Sequence, residues 1–259
     1  MSQKQKTGLA LGAGFSRGFA HIGVIKALTR QGFSIDYIAG SSMGSVIGLL
    51  YASGLPLSTI EELALNLKRK NWVDFTVPRE GLVSGEKLES LLSLLTRRRY
   101  LEELPLPLSV TATDLQEGCR VVIRKGFAAR AVRASSAIPG IFKPVKAGEK
   151  LLVDGGVLER VPVEEVRKMG ADVVIAVDVS SGVEEYEVNN IFDIISRTID
   201  IMSKELTLYR MQEADILITP YLKDISPSDF SRVEETIARG DEAACKAIPG
   251  LYSILKKEV

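Results

Sequence analysis

Apolar runs of four to six residues alternate along this chain with longer stretches in which apolar side chains return every three to four positions. The short runs, at 8–11, 35–39, 108–113, 120–124, 173–178 and 216–219, predict strands. Helices fit the stretches between them. Residues 18–31 place Phe19, Ile22 and Ile25 on one face, and 43–52 form a second helix. Ser58 opens a third with a capping box to Glu61, followed by Ile60, Leu63, Ala64 and Leu67 at helical spacing. Leu88, Leu91, Leu92 and Leu95 repeat that spacing. A long helix fits 188–208 with Ile191, Ile195, Ile199, Met202 and Leu206 inward, and a last pair fits 230–247 and 251–257. Strands with helices between them predict an α/β fold of three layers, a mainly parallel sheet covered by helices on both faces. Pro105 and Pro107 mark a loop and not a domain boundary, and no internal repeat or low-complexity tract interrupts the pattern. One domain over 1–259 is expected.

Composition narrows the function. Lys+Arg and Asp+Glu both number 33, and no long basic stripe appears, which excludes nucleic acid as a partner. The basic clusters are short, Lys68-Arg69-Lys70 and Arg97-Arg98-Arg99. They read as solvated helix ends or, alternatively, as transient contacts to the anionic head groups of a membrane surface. Cys119 and Cys245 stand far apart without metal-ligand spacing, as two reduced thiols of a cytoplasmic protein. Lys4 and Lys6 precede a semi-apolar stretch, but glycines and Arg17 make it a poor signal sequence. No run approaches the roughly 18 apolar residues of a spanning helix. The expectation is a soluble protein, at most peripheral at a membrane.

Gly40-Ser41-Ser42-Met43-Gly44 matches G-x-S-x-G between a predicted strand and a predicted helix, the setting of a nucleophile elbow. The rival reading is an ordinary strand–turn–helix with a serine cap. A second glycine-rich loop, Gly12-Ala13-Gly14-Phe15-Ser16-Arg17-Gly18, follows the first strand. A dinucleotide fingerprint would need glycine where Arg17 stands, and Asp36 lies at the wrong end of its strand. Backbone amides around Gly14 and Phe15 could instead form an oxyanion hole. A Ser-His-Asp triad needs a histidine, and the single one, His21, sits in the helix after this loop, in the wrong chain order. It reads as structural. A carboxylate whose pKa is raised by burial can serve as base instead. Asp154-Gly155-Gly156, after the apolar run 151–153, is the best candidate, with Asp114 and Asp178 as rivals.

Together these residues resemble the patatin-like phospholipase family, especially its small bacterial members. Residues 8–32 (GLALGAGFSRGFAHIGVIKALTRQG) are similar to its glycine loop and first helix, 40–44 to its nucleophile motif, and Asp154-Gly155-Gly156 to its D-G-[AG] motif. ATDLQEG and SSAIPGIFKPV also resemble family sequence, and the likeness runs from about 7 to 180 and more loosely beyond. The resemblance implies a patatin-like domain, hydrolysis of lipid or acyl esters, and no metal or cofactor. It implies Ser42 as nucleophile, Asp154 as base, Gly12, Ala13, Gly14, Phe15, Arg17 and Gly18 as oxyanion loop, and Arg17 as its brace. Ala13 and Phe15 stand where many members have glycine, and a bulky Phe15 resists positive φ. A weakly active scaffold relative, and a thioesterase or acyltransferase on the same site, are the alternatives. The leucine-rich stretch 55–104 reads as ordinary helical core, or as acyl pocket and lid.

Overall fold

The computed structural model describes residues 5–66, 74, 81–180 and 187–255, without the side chains of 204–206. The Lys68-Arg69-Lys70 cluster lies outside them. The first half of the chain forms β1 (Thr7–Leu11), α1 (Ala20–Arg30), β2 (Tyr37–Ser41), α2 (Met43–Ala52), α3 (Leu57–Asn66), α4 (Glu86–Leu95), β3 (Leu108–Asp114) and β4 (Cys119–Ile123). The second forms α5 (Ala128–Ser135), β5 (Val145–Ala147), β6 (Lys150–Asp154), α6 (Val163–Lys168), β7 (Val173–Val177), α7 (Ile191–Met211), β8 (Ile216–Ile218) and α8 (Val233–Leu255).

The sheet is mixed. Parallel pairs join β1 to β2 and β7, β2 to β3, and β7 to β8, whereas β3–β4, β3–β6 and β5–β6 are antiparallel. The expected parallel character therefore holds for the centre and one side. The other side holds two short hairpins, β3–β4 and β5–β6, which only antiparallel strands can use, and sets β6 antiparallel on the end of β3. Alternation along β1 sends Leu9 and Leu11 into one core with α1, α2 and α8, and Ala10 into another with α6. Small residues let α6 lie close: a Cβ on Gly8 would meet Val166 Cγ1 at 2.0 Å. On the opposite face α1 and α8 cross through two glycines. A Cβ on Gly23 would meet the Ile237 carbonyl oxygen at 1.9 Å, and one on Gly240 the Ala20 carbonyl oxygen at 2.0 Å.

The register of β3 positions the site. Its Val110–Asp114 stretch pairs with β4. Residues 108–111 also pair with β2, and 112–114 with β6. Because β4 occupies one edge, β2 and β6 share the other, lying end to end. β2 arrives with Ser41 opposite Thr111, and β6 comes from the other direction with Asp154 opposite Ala112. The strand ends thus face each other across one residue step.

Several elements differ from the sequence pattern. α3 begins at Leu57, ahead of the expected cap, because Pro56 starts the turn and its carbonyl accepts the Ile60 N–H. The expected final pair is one helix, α8, which continues through Pro249 because Ile248 and Leu251 are buried in the main core. The first-helix stretch opens instead as a 3₁₀ segment, Phe15–Phe19. Helices α5 and α6 and strand β5 were not anticipated, and β6 was read only as the apolar run 151–153. α5 interleaves two arginines with its alanines, and α6 and β5 are short.

Candidate active site

Ser42 sits between β2 and α2 with φ 50° and ψ −124°. A non-glycine residue held there costs about 1–3 kcal/mol and needs support. Its N–H donates to Ser135 Oγ at 2.8 Å, and its carbonyl accepts the Ser45 N–H and the Ser45 hydroxyl at 2.8 and 2.6 Å. The glycines of the elbow are steric requirements. A Cβ on Gly40 would strike Ser45 Cα at 2.5 Å, and one on Gly44 the Leu11 carbonyl oxygen at 2.2 Å. The ordinary-turn reading does not account for this strained, supported conformation.

Asp154, at the opposing strand end, is 5% exposed, as is Ser42. The Ser42 hydroxyl donates to Asp154 Oδ2 at 2.6 Å, and the Gly156 N–H donates to Oδ1 at 2.7 Å. Gly155 permits the junction, since its Cβ would meet the Thr111 carbonyl oxygen at 2.4 Å and Ser41 Oγ at 2.8 Å. A Cβ on Gly156 would meet Ala13 Cβ at 2.9 Å, so the glycine loop packs on the aspartate's turn. Burial pushes the Asp154 carboxyl up to about 6, against the hydrogen bonds from Ser42 and Gly156 and the Arg160 charge, which pull it down. A carboxylate so placed can take a proton from the serine near neutral pH.

The rival carboxylates have other partners. Asp114 Oδ1 accepts the Gln116 and Leu151 N–H groups, and Asp178 Oδ1 accepts the Ser180 N–H and hydroxyl. His21 is fully buried, with Nε2 2.8 Å from the Gly12 carbonyl oxygen, and burial lowers its pKa to about 4. The neutral ring donates to the glycine loop, in keeping with a structural role.

Within that loop, the Gly12 N–H donates to the Val177 carbonyl and the Ala13 N–H to the Arg160 carbonyl. Those two amides are engaged. The Gly14 and Phe15 amides have no acceptor among the described residues. Phe15 adopts φ 51° despite its side chain, which packs against the cluster of Val83, Ile138 and Phe142. Gly18 lets the loop close on α2: its Cβ would meet Met43 Cγ at 2.3 Å. Arg17 is buried and donates through Nε to the Ile225 carbonyl at 2.7 Å.

Ser42 opens into a cavity of about 140 Å³. Ile60, Leu63 and Ala64 of α3 and Leu88, Leu91, Leu92 and Leu95 of α4 line one side, so the 55–104 stretch supplies pocket wall as well as core. Phe15, Phe142 and Phe192 line another side. Its polar lining is Ser42, Ser136 and Ser228. The Ser136 hydroxyl is buried with no hydrogen-bond partner among the described residues. Ser135 and Ser136 fall in the quoted SSAIPGIFKPV segment, yet nothing in their spacing assigned them. Arg97 and Arg98 are exposed just past α4, consistent with a solvated helix end. Cys119 and Cys245 are free and exposed. Among the described residues, no helix is long and apolar enough to cross a membrane.

The α/β sheet thus presents a strained serine against a buried aspartate, next to a glycine loop. The chain belongs to the patatin-like phospholipase family, whose model matches residues 9–167. It is 37% identical over 182 residues to an uncharacterised NTE family protein of Mycobacterium tuberculosis, covering 69% of this chain and 50% of that one. It is 33% identical over 183 residues to Lysophospholipase NTE1 of Debaryomyces hansenii, covering 68% of this chain and 12% of the relative. The chain therefore spans half or less of the length of these relatives. The fold resembles VipD from Legionella pneumophila (TM-score 0.59, 14% identity, 95% of this chain and 67% of that one). It also resembles ExoU of Pseudomonas aeruginosa (TM-score 0.56, 15% identity, 98% of this chain and 53% of that one).

Proposed function

We propose that the protein is a serine hydrolase of lipid acyl esters, phospholipid or lysophospholipid among them, working through a Ser42–Asp154 dyad. The hydrogen bond of 2.6 Å from the Ser42 hydroxyl to Asp154, at the edge of an apolar cavity, carries the proposal. In the reaction Ser42 Oγ attacks the acyl carbonyl while Asp154 takes its proton. The Gly14 and Phe15 amides receive the developing oxyanion, and α2 aims its N-terminal end toward the same charge. Asp154 returns the proton to the leaving alkoxide. Water activated by the same carboxylate then attacks the acyl-serine, releasing the fatty acid and restoring the hydroxyl. The apolar wall suits an acyl chain, and the name of the yeast relatives, lysophospholipase, agrees with a lipid substrate.

The test is hydrolysis of a short-to-long p-nitrophenyl ester series by the wild type and Ser42→Ala. Turnover that vanishes in the variant is expected. Equal rates in both proteins, or none in either, would overturn the reading.

A further inference from the structure

Three consecutive carbonyls outside the family-matched residues 9–167 converge on the glycine loop. Ile225 accepts Arg17 Nε at 2.7 Å, Ser226 accepts the Ser16 hydroxyl at 3.2 Å, and Pro227 accepts the Ser16 N–H at 3.2 Å. This stretch is itself tied down by one carboxylate. Asp193, in the first turn of α7, is 1% exposed. Its Oδ1 accepts the Ser226 and Ser228 hydroxyls at 2.6 and 2.8 Å, and its Oδ2 accepts Asn190 Nδ2 at 2.7 Å. Ser226 Oγ also accepts the Ser228 N–H at 3.1 Å. The carboxylate thus fixes the residues on both sides of Pro227.

Phe15, immediately before the clamped Ser16, holds φ 51°. A bulky residue in the left-handed region persists only where its surroundings over-determine it. We propose that Asp193 is a positioning residue of the oxyanion loop. Through Ser226 and Ser228 it sets the three carbonyls, and these hold Ser16 and Arg17 so that the Gly14 and Phe15 amides stay aimed beside Ser42. The inference rests on the reading of residues 12–18 as the oxyanion loop.

The test compares Asp193→Ala, Asp193→Asn and Ser226→Ala by hydrogen exchange of the 12–18 backbone and by ester kinetics. Loss of alignment at an oxyanion donor lowers kcat roughly 10- to 100-fold with KM changed less than about twofold. Asp193→Ala should do this and speed exchange at Ser16. Asp193→Asn keeps an acceptor for both hydroxyls and should retain most of kcat. Ser226→Ala, the milder change, serves if Asp193→Ala fails to fold. Unchanged exchange in the folded variants would overturn the proposal. So would Asn behaving no better than Ala, or faster exchange with kcat intact. If the wild type hydrolyses no ester, the functional reading falls, while exchange at Ser16 still decides whether the clamp exists.

Discussion

Asp154 is a carboxyl kept from water that the proposed mechanism needs ionised. Its native pKa of about 6 lies above the usual 3.8, so between those values the folded chain binds a proton that the unfolded chain has lost. Stability therefore falls as pH rises through that window, and at neutral pH the ionised group costs about 3 kcal/mol. Asp154→Asn should abolish turnover and raise the melting temperature at pH 7, with the gain gone below about pH 4. An equal or lower melting temperature at pH 7 would contradict the burial argument. In the wild type, kcat/KM should fall as pH drops through about 6, because the protonated acid cannot act as base. His21 works in the other direction. Held down at about 4, it withdraws stability as pH falls from the ordinary histidine range toward that value. The two candidate catalytic residues were legible in the sequence because glycines flank them for steric reasons. The state of His21 was legible only as an elimination, since its partner is a backbone carbonyl that no side-chain pattern reveals.

At the scale of elements, the glycine contacts between α1 and α8 make a separate prediction. Gly23→Ala adds a Cβ where the Ile237 carbonyl already lies, and the helices must part. Overpacking of this kind costs about 1–3 kcal/mol and exceeds the helix-propensity gain of about 1 kcal/mol. Thermal unfolding should show a net loss, with ester turnover per folded molecule little changed. Strands β1 and β7 were readable because burial on both faces makes each an apolar run, and β3 because Leu108, Val110 and Ala112 alternate with small polar residues. α5 was not, since Arg130 and Arg133 break its apolar run. α8 was divided at Pro249, although burial of Ile248 and Leu251 outweighs the one backbone hydrogen bond that proline removes.

For the whole molecule, residues beyond the family-matched stretch complete the site: Phe192 and Phe230 line the cavity, and the 225–227 carbonyls brace the loop. Periodicity placed α7 with Ile195 and Ile199 inward, but Ile191 and Met202, also expected inward, are exposed; nor could it show what the first turn holds, because those partners lie more than 30 residues apart in sequence. The cavity's apolar wall also makes its length testable. Leu63→Trp and Leu91→Trp fill space beside Ser42 and should move the ester optimum toward shorter chains, without loss of Ser42 labelling by a fluorophosphonate. An unmoved optimum would place the acyl chain elsewhere. Ser42 and Asp154 are 112 residues apart, yet they meet only because β2 and β6 abut along one edge of β3. Contacts so distant in sequence carry a loop-closure entropy that slows the assembly of the sheet around them. A slip of one pair along β3 would shift Asp154 by about 3.4 Å and turn its side chain to the other face of the sheet. On the proposed dyad, catalysis would be a gauge of strand register: a chain that has collapsed but mispaired β6 should stay chemically silent, and hydrolysis during refolding should return only once β6 has paired with β3.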